Sequence, residues 1–526
     1  FGPTLLYWME KADPATYQAI LQADKLSRER YNGHGSALAQ VHSHLIMPLA
    51  SRRDKETQIR WGVDDFRYRF GRAPEGMWLA ETAVDTETLE LLVDHGIRFT
   101  ILAPRQAKAC RRLGETHWNE TPETIDPRRP YLYRLPSGRE IVLFFYHGEI
   151  AQEVAFKGLL NNGKHFAHRL LSAFDDDDRP QLMHIATDGE SYGHHHPKGE
   201  MALADCLNYI ETNELATLTN YGDYLDRFPP DYEVEIHENS SWSCVHGVER
   251  WRADCGCNSG GHLGWTQGWR RPLRDTLNWL RDQLIPIYER EAGVFLHDVW
   301  EARNDYISII NDRHPDNVDA FLKRHVKRPV NKDERIQLLR CMEMQRNALL
   351  MFTSCGWFFD EISGIETNQI LQYANRSIHY ADQVAGVDLH QEFIQRLEQA
   401  PSNVFENGAV SYLQHVVPAR VNLERVAMHY AVSSLFEAYP EHLEFFNYIA
   451  DSEVFYLREA GKQKLALGRT TVKSRITHSE KPFSFAVLYL GQQNIIGNIS
   501  LDLDRKKKEK MAEKISASFQ NTNLGE

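Results

Sequence analysis

Cysteine is scarce in this sequence, with seven in 526 residues. So few, spread over so long a chain, make no disulfide framework, and a reducing, cytoplasmic setting is expected. Long apolar runs are missing as well. None approaches the ~20 residues of a membrane span, so no membrane partner is expected. Basic charge is in deficit, 60 Lys and Arg against 73 Asp and Glu, for a net charge of −13. That balance argues against nucleic acid or an anionic membrane surface as a partner and suits a neutral one. No internal repeat is visible. The chain opens Phe1-Gly2-Pro3 without an initiator Met and shows no signal peptide. It reads as an internal fragment of a longer protein.

What is present is ordinary for a globular protein: 42% apolar and 25% charged residues. The length predicts two or three domains. Aromatics reach 11%, with Trp at 11 positions. Sugar clefts are rich in such rings, and an aromatic core accounts for them equally well.

One stretch organises the rest: Thr187-Asp188-Gly189-Glu190-Ser191-Tyr192-Gly193-His194-His195-His196. It follows Leu182-Met183-His184-Ile185-Ala186, which reads as a short buried strand. A second stretch, Gly76-Met77-Trp78-Leu79-Ala80-Glu81, has the same form. Strand ends are where α/β barrels and open sheets place their chemistry. Glu81 and Asp188, on different strands, can therefore face one pocket. Asp85 as N-cap, the Leu89, Leu92 and Val93 stripe, and Gly96 as a stop predict a helix between parallel strands, the second at 97–102. Residues 141–146 read as another buried strand.

From Leu273 the pattern turns helical. Leu273, Leu277, Leu280, Leu284 and Ile287 fall on one face, and further helices are expected at 294–312, 332–355, 365–386, 389–400 and 409–437. Strands are expected after about residue 468, and the charge run 505–510 reads as a solvated helix start. The predicted division is 1–240, an α/β barrel; 241–468, a helical domain completing a cleft; and 469–526, the start of a β-containing region.

Paired carboxylates suit glycosidic bond chemistry, one attacking the anomeric carbon and the other protonating the leaving oxygen. A helix N-cap or a salt bridge is the plainer use of such residues. Asp188 with His194 and His196 also has the makings of a hydrolytic metal site of the carbohydrate-deacetylase kind, although the spacing matches no established zinc motif. Cys244-x-His246 and Cys255-x-Cys257 are a weak candidate for structural zinc, the alternative being free or redox-active thiols. No cofactor is otherwise implied.

Trp78-Leu79-Ala80-Glu81 and Asp188-Gly189-Glu190-Ser191-Tyr192-Gly193 resemble two signature regions of glycoside hydrolase family 57, and the fuller runs 76–106, 187–204, 240–257 and 354–365 resemble one subgroup of it that carries a long C-terminal region of unassigned function. The resemblance implies a retaining mechanism on α-glucan oligo- or polysaccharides, by hydrolysis or transfer. It implies a (β/α)7-type barrel, here apparently lacking its first strand, followed by an α-helical bundle and a short β-containing segment. Glu81 matches the family's nucleophile and Asp188 its general acid/base. His44, in Val41-His42-Ser43-His44, falls at a second signature region. Trp357, in Cys355-Gly356-Trp357, matches a Trp that stacks on sugar. Trp78, Glu190, His194, His196 and Trp242 complete the expected substrate contacts. The family's opening His-Gln-Pro-like motif is not found. A catalytically weak glycan-binding or regulatory protein is the alternative reading.

Overall fold

The β-α-β unit forms as its sequence dictates. Asp85 accepts from the Thr88 backbone N–H at 2.9 Å and so caps the Thr86–Asp94 helix. The chain leaves that helix through Gly96 at φ +78°, a conformation glycine adopts without steric cost. The computed structural model describes residues 1–121, 124–501, 510, 513–515, 517 and 519.

The first region holds β1 (Ala39–Gln40), β2 (Met77–Trp78), β3 (Phe99–Leu102), β4 (Ala107–Arg112), β5 (Asn119–Glu120), β6 (Tyr131–Arg134), β7 (Glu140–Phe145) and β8 (Tyr232–Ile236). β1 pairs with β2 in parallel, Gly76 bridges Phe99 in parallel, and β3 pairs with β7 in parallel. A mixed sheet in the order β3-β7-β6-β8-β4-β5 continues from there. Phe144 and Phe145 are wholly buried, as expected of a strand covered on both faces.

Residues 182–186 do not join a ladder, contrary to the strand expected there. β7 already has β3 on one side and antiparallel β6 on the other, so no edge is left for them. They run past the end of β7 instead. Leu182 N–H donates to Arg128 O at 2.9 Å, and His147 N–H donates to His184 O at 2.9 Å. Buried His184 pins the segment through Tyr221 Oη at 3.0 Å and Pro127 O at 3.1 Å.

The helical region begins with Arg270–Gly293, whose Leu273, Leu277, Leu280, Leu284 and Ile287 face is buried as expected. It is joined to the first region by a buried polar contact. Arg303 donates to Asp54 Oδ1 at 2.8 Å and to Thr57 Oγ1 at 2.8 Å, while Trp61 Nε1–H donates to Arg303 O at 3.1 Å. The helix expected over 409–437 is broken. Gly408–Ser411 runs into a π turn at Tyr412–Val416, and a new helix forms at Leu423–Ser433 beyond Pro418, which cannot continue a helix.

Strands then start earlier than residue 468. β9 (His442–Phe445), β10 (Tyr448–Ala460), β11 (Gln463–Ser474), β12 (Glu480–Gly491) and β13 (Asn494–Leu501) form an antiparallel meander with β9 and β13 at its edges. Val426, Ala427, Tyr430 and Ala431 of the preceding helix pack on one face of this sheet. The expected helix start at 505–510 lies outside the described residues except for Lys510. Among the described residues, no helix is long and apolar enough to cross a membrane.

Burial lowers the pKa of His184 to about 4, against the pull of its bond to Pro127. The unfolded chain takes up this proton near the ordinary value of about 6.5 and the folded chain only near 4. Folding stability is therefore full above pH 6.5 and falls as pH drops towards 4, by about 3 kcal/mol for this one group. Denaturant unfolding at pH 7 and pH 4.5 is expected to show a smaller acid loss for His184→Gln than for the wild type. Equal losses would place the acid sensitivity elsewhere.

Candidate active site

Glu81 sits just past β2 in a backbone conformation that L-residues avoid, with φ +57°. Thr82 follows at φ +51°, and His44, past β1, has φ +52°. A β-branched residue at positive φ is an outlier, and each such residue costs ~1–3 kcal/mol. The strain persists because a buried amide over-determines the turn. Gln106 Nε2–H donates to Thr82 O at 2.8 Å and to Ser240 Oγ at 3.2 Å. Its Oε1 accepts from Thr82 Oγ1 at 2.8 Å and from Ala103 N–H at 2.8 Å.

The turn aims the Glu81 carboxyl at two donors. Trp242 Nε1–H donates to Glu81 Oε2 at 2.7 Å, and Ser243 Oγ–H donates to the same oxygen at 2.6 Å. Among the described residues Oε1 accepts no hydrogen bond. The 240–243 stretch is itself fixed. Trp242 N–H donates to Glu81 O at 3.0 Å, Val84 N–H to Ser240 O at 3.0 Å, and Arg105 Nη2–H to Ser241 O at 2.9 Å. The Trp242 ring lies edge-on to Trp78 at 5.1 Å and to Tyr146 at 6.2 Å.

Ile185 and Ala186 pack in the same apolar cluster as Trp78 and Trp242, which carries the chain to Asp188 beside this group. Burial holds the His44 imidazole below its ordinary pKa, while the charges of Glu81 and Asp188 act on it in the opposite sense. One imidazole thus feels both carboxylates. Its Nδ1 lies 2.8 Å from Ser354 Oγ. The helical region enters the site at this point, since Ser354 N–H also donates to His44 O at 2.9 Å. Asp188 itself is exposed and accepts from Glu190 N–H at 3.3 Å.

Glu81, Trp78, Trp242, His44 and Asp188 are brought together. Glu190 and His194 are exposed beside Asp188, with Glu190 facing His195 at 3.5 Å. His196 is committed to Ala155 O at 2.9 Å and holds the loop. Asp188, His194 and His196 do not converge as a ligand set. Trp357 offers no face to a sugar: it is fully buried, 6.4 Å from Phe352 in a stacked pair, with the Arg274 guanidinium 4.2 Å over its ring. Residues two apart on a helical turn point to different sides. Hence Cys355, not Trp357, lies in the field of Glu81: the residue is exposed, but the surrounding protein and then that carboxylate raise its thiol pKa. Gln106, Ser243 and Ser354 are site residues that the sequence reading missed.

The family model for glycosyl hydrolase family 57 matches residues 4–237, and a model described as a domain of unknown function (DUF3536) matches residues 265–526. Alpha-amylase 1 of Dictyoglomus thermophilum is 28% identical over 103 residues, covering 19% of this chain and 14% of that protein. An exo-type maltose-forming amylase from Pyrococcus sp. ST04 superposes with a TM-score of 0.59 at 16% identity, over 76% of this chain and 70% of the other. A 4-alpha-glucanotransferase from Thermococcus litoralis reaches a TM-score of 0.45 at 14% identity, over 95% of this chain and 77% of the other. The fold is that of the α/β barrels of (β/α)7 type with an appended helical region, and residues 4–237, a little under half of the chain, match the glycosyl hydrolase family 57 model.

Proposed function

We propose that this protein cleaves or transfers α-glucosidic bonds in α-glucan oligo- or polysaccharides by double displacement. The observation that carries the proposal is the pairing of a strained, doubly hydrogen-bonded Glu81 with Asp188 about one imidazole. Glu81 Oε1, the free oxygen, attacks the anomeric carbon. The glycosidic C–O bond breaks as Asp188 gives its proton to the departing oxygen. In the second step the Asp188 carboxylate takes a proton from water or a sugar hydroxyl. That oxygen bonds to the anomeric carbon, and the bond to Glu81 breaks. Trp242 and Ser243, both on Oε2, stabilise the carboxylate as it leaves.

Asp188 is exposed. The same exposure favours a second reading, a glycan-binding protein with weak turnover. In the division we propose, residues 1–240 carry both carboxylates, the helical region closes the cleft through Ser354 and Cys355, and the β9–β13 meander lies outside the chemistry. The seven cysteines, all unpaired, suit the cytoplasmic setting we propose.

Turnover of maltooligosaccharides tests the acid. Asp188→Asn is expected to lose about 10²–10⁴-fold in kcat on glycosidic substrates. It should lose far less on α-glucosyl fluoride, whose leaving group needs no proton. Equal losses on both would remove Asp188 from the role of acid. Binding of maltooligosaccharides by a folded wild type that turns over neither substrate would establish the second reading.

Trp242→Phe keeps an aromatic ring and deletes one donor to a charged acceptor, an interaction worth about 1.5–3 kcal/mol. kcat/KM is expected to fall roughly 10- to 150-fold. An unchanged value would mean that the Trp242 bond to Glu81 does not contribute to the transition state.

A further inference from the structure

Residues 237–269 contain no strand and only a single three-residue helical turn, Glu249–Trp251. A stretch of this length without regular structure has few backbone hydrogen bonds to order it. It nevertheless delivers Trp242 and Ser243 to Glu81 at hydrogen-bond distance. Directly after Ser243 come four side chains that converge. The ligand atoms of Cys244, His246, Cys255 and Cys257 all lie within 4.8 Å of one another.

The spacings within that group are informative. Cys244 Sγ is 3.9 Å from Cys255 Sγ and 3.9 Å from Cys257 Sγ, and Cys257 Sγ is 3.7 Å from His246 Nδ1. A disulfide requires about 2.05 Å. A tetrahedral ion with metal–sulfur bonds of about 2.3 Å and metal–nitrogen bonds of about 2.0–2.1 Å sets sulfur–sulfur edges of about 3.8 Å and slightly shorter sulfur–nitrogen edges. The observed edges follow that pattern. The backbone is shaped to the same end. Gly256, between two of the thiols, takes φ +80°, and Gly247, after His246, takes φ +84°. A Cβ at Gly247 would lie 2.4 Å from Asn239 O.

We propose that Cys244, His246, Cys255 and Cys257 hold a structural zinc ion that pins residues 244–257 and thereby the segment that meets Glu81. Three thiols lose their protons to solvent on binding, and neutral His246 adds a fourth bond. Three thiolates and Zn²⁺ carry a net charge of −1. Two buried guanidiniums adjoin that charge. Arg270 Nη1–H donates to Cys257 O at 2.8 Å, and Arg250 Nη1–H donates to Ser243 O at 3.1 Å. With four protein ligands the coordination is complete, the arrangement of a structural rather than a catalytic zinc. Soft thiolates with one imidazole select zinc over magnesium or calcium. Metal binding here stands apart from the reaction proposed for Glu81; only its consequence for Trp242 and Ser243 rests on that reading.

The test is metal analysis of the full chain, purified without chelator, by inductively coupled plasma and native mass spectrometry. One zinc per chain is expected. The double variant His246→Asn, Cys257→Ser, at one exposed and one half-buried ligand, is expected to retain at least about tenfold less. The wild-type chain stripped and reloaded with Co²⁺ alone is expected to show the red visible absorption of tetrahedral cobalt–thiolate, so the assignment does not depend on the variant folding. Limited trypsin digestion is expected to cut at exposed Arg252 at least several-fold faster after the metal is stripped. A wild type with neither zinc nor uptake of Zn²⁺ or Co²⁺ would overturn the proposal. So would a disulfide within this group in protein purified without oxidant, or zinc content unchanged in the variant.

Discussion

Two consecutive left-handed residues, Glu81 and Thr82, set what the rest of the site must do. Together they cost several kcal/mol, at ~1–3 each. The Gln106 amide, satisfied on both its oxygen and its nitrogen, offsets that cost from one side. Trp242 and Ser243 offset it from the other, through bonds to a charged acceptor of about 1.5–3 kcal/mol each. Strain of this kind survives only where neighbours over-determine it. Here it turns the carboxyl out of the sheet and leaves one oxygen free. The turn, the 103–106 segment and the 240–243 segment are thus one device rather than three contacts.

The helical region belongs to the same device. Ser354 bonds both the His44 ring and the His44 carbonyl, so the left-handed turn past β1 is held from outside its own sheet. Arg303 locks the Arg52–Phe70 helix to the helical region through Asp54 and Thr57 in the buried interior. The His44 imidazole stands in the fields of Glu81 and Asp188. The meander of β9 to β13, packed on the Leu423–Ser433 helix, is not part of this chain of contacts.

Much of this was legible in the sequence where chemistry and local pattern coincide. Glu81 and Asp188 each end an apolar run, and the Asp85 cap and Gly96 stop are local signals. Gln106 and Ser243 were not legible as site residues. Their value comes from partners 24 and 162 positions away, which no local period reveals. The resemblance places Trp357 in the cleft, but the sequence does not say which side of a short turn faces Glu81, and there it is Cys355. The 182–186 run has the composition of a buried strand, yet pairing needs a free edge, and β6 had taken it. The early strands of the meander were hidden by polar and exposed positions along β10 and by the charge of its neighbours.

The central claim is that Glu81 is the nucleophile. Its most direct test is mass spectrometry of the intact protein after incubation with a fluorinated α-glucosyl donor that traps retaining nucleophiles, followed by peptide mapping. One glycosyl adduct is expected per wild-type chain, on the peptide containing Glu81, and none on Glu81→Gln. An adduct mapped to another carboxylate, or none on folded wild type that binds maltooligosaccharides, would contradict the account.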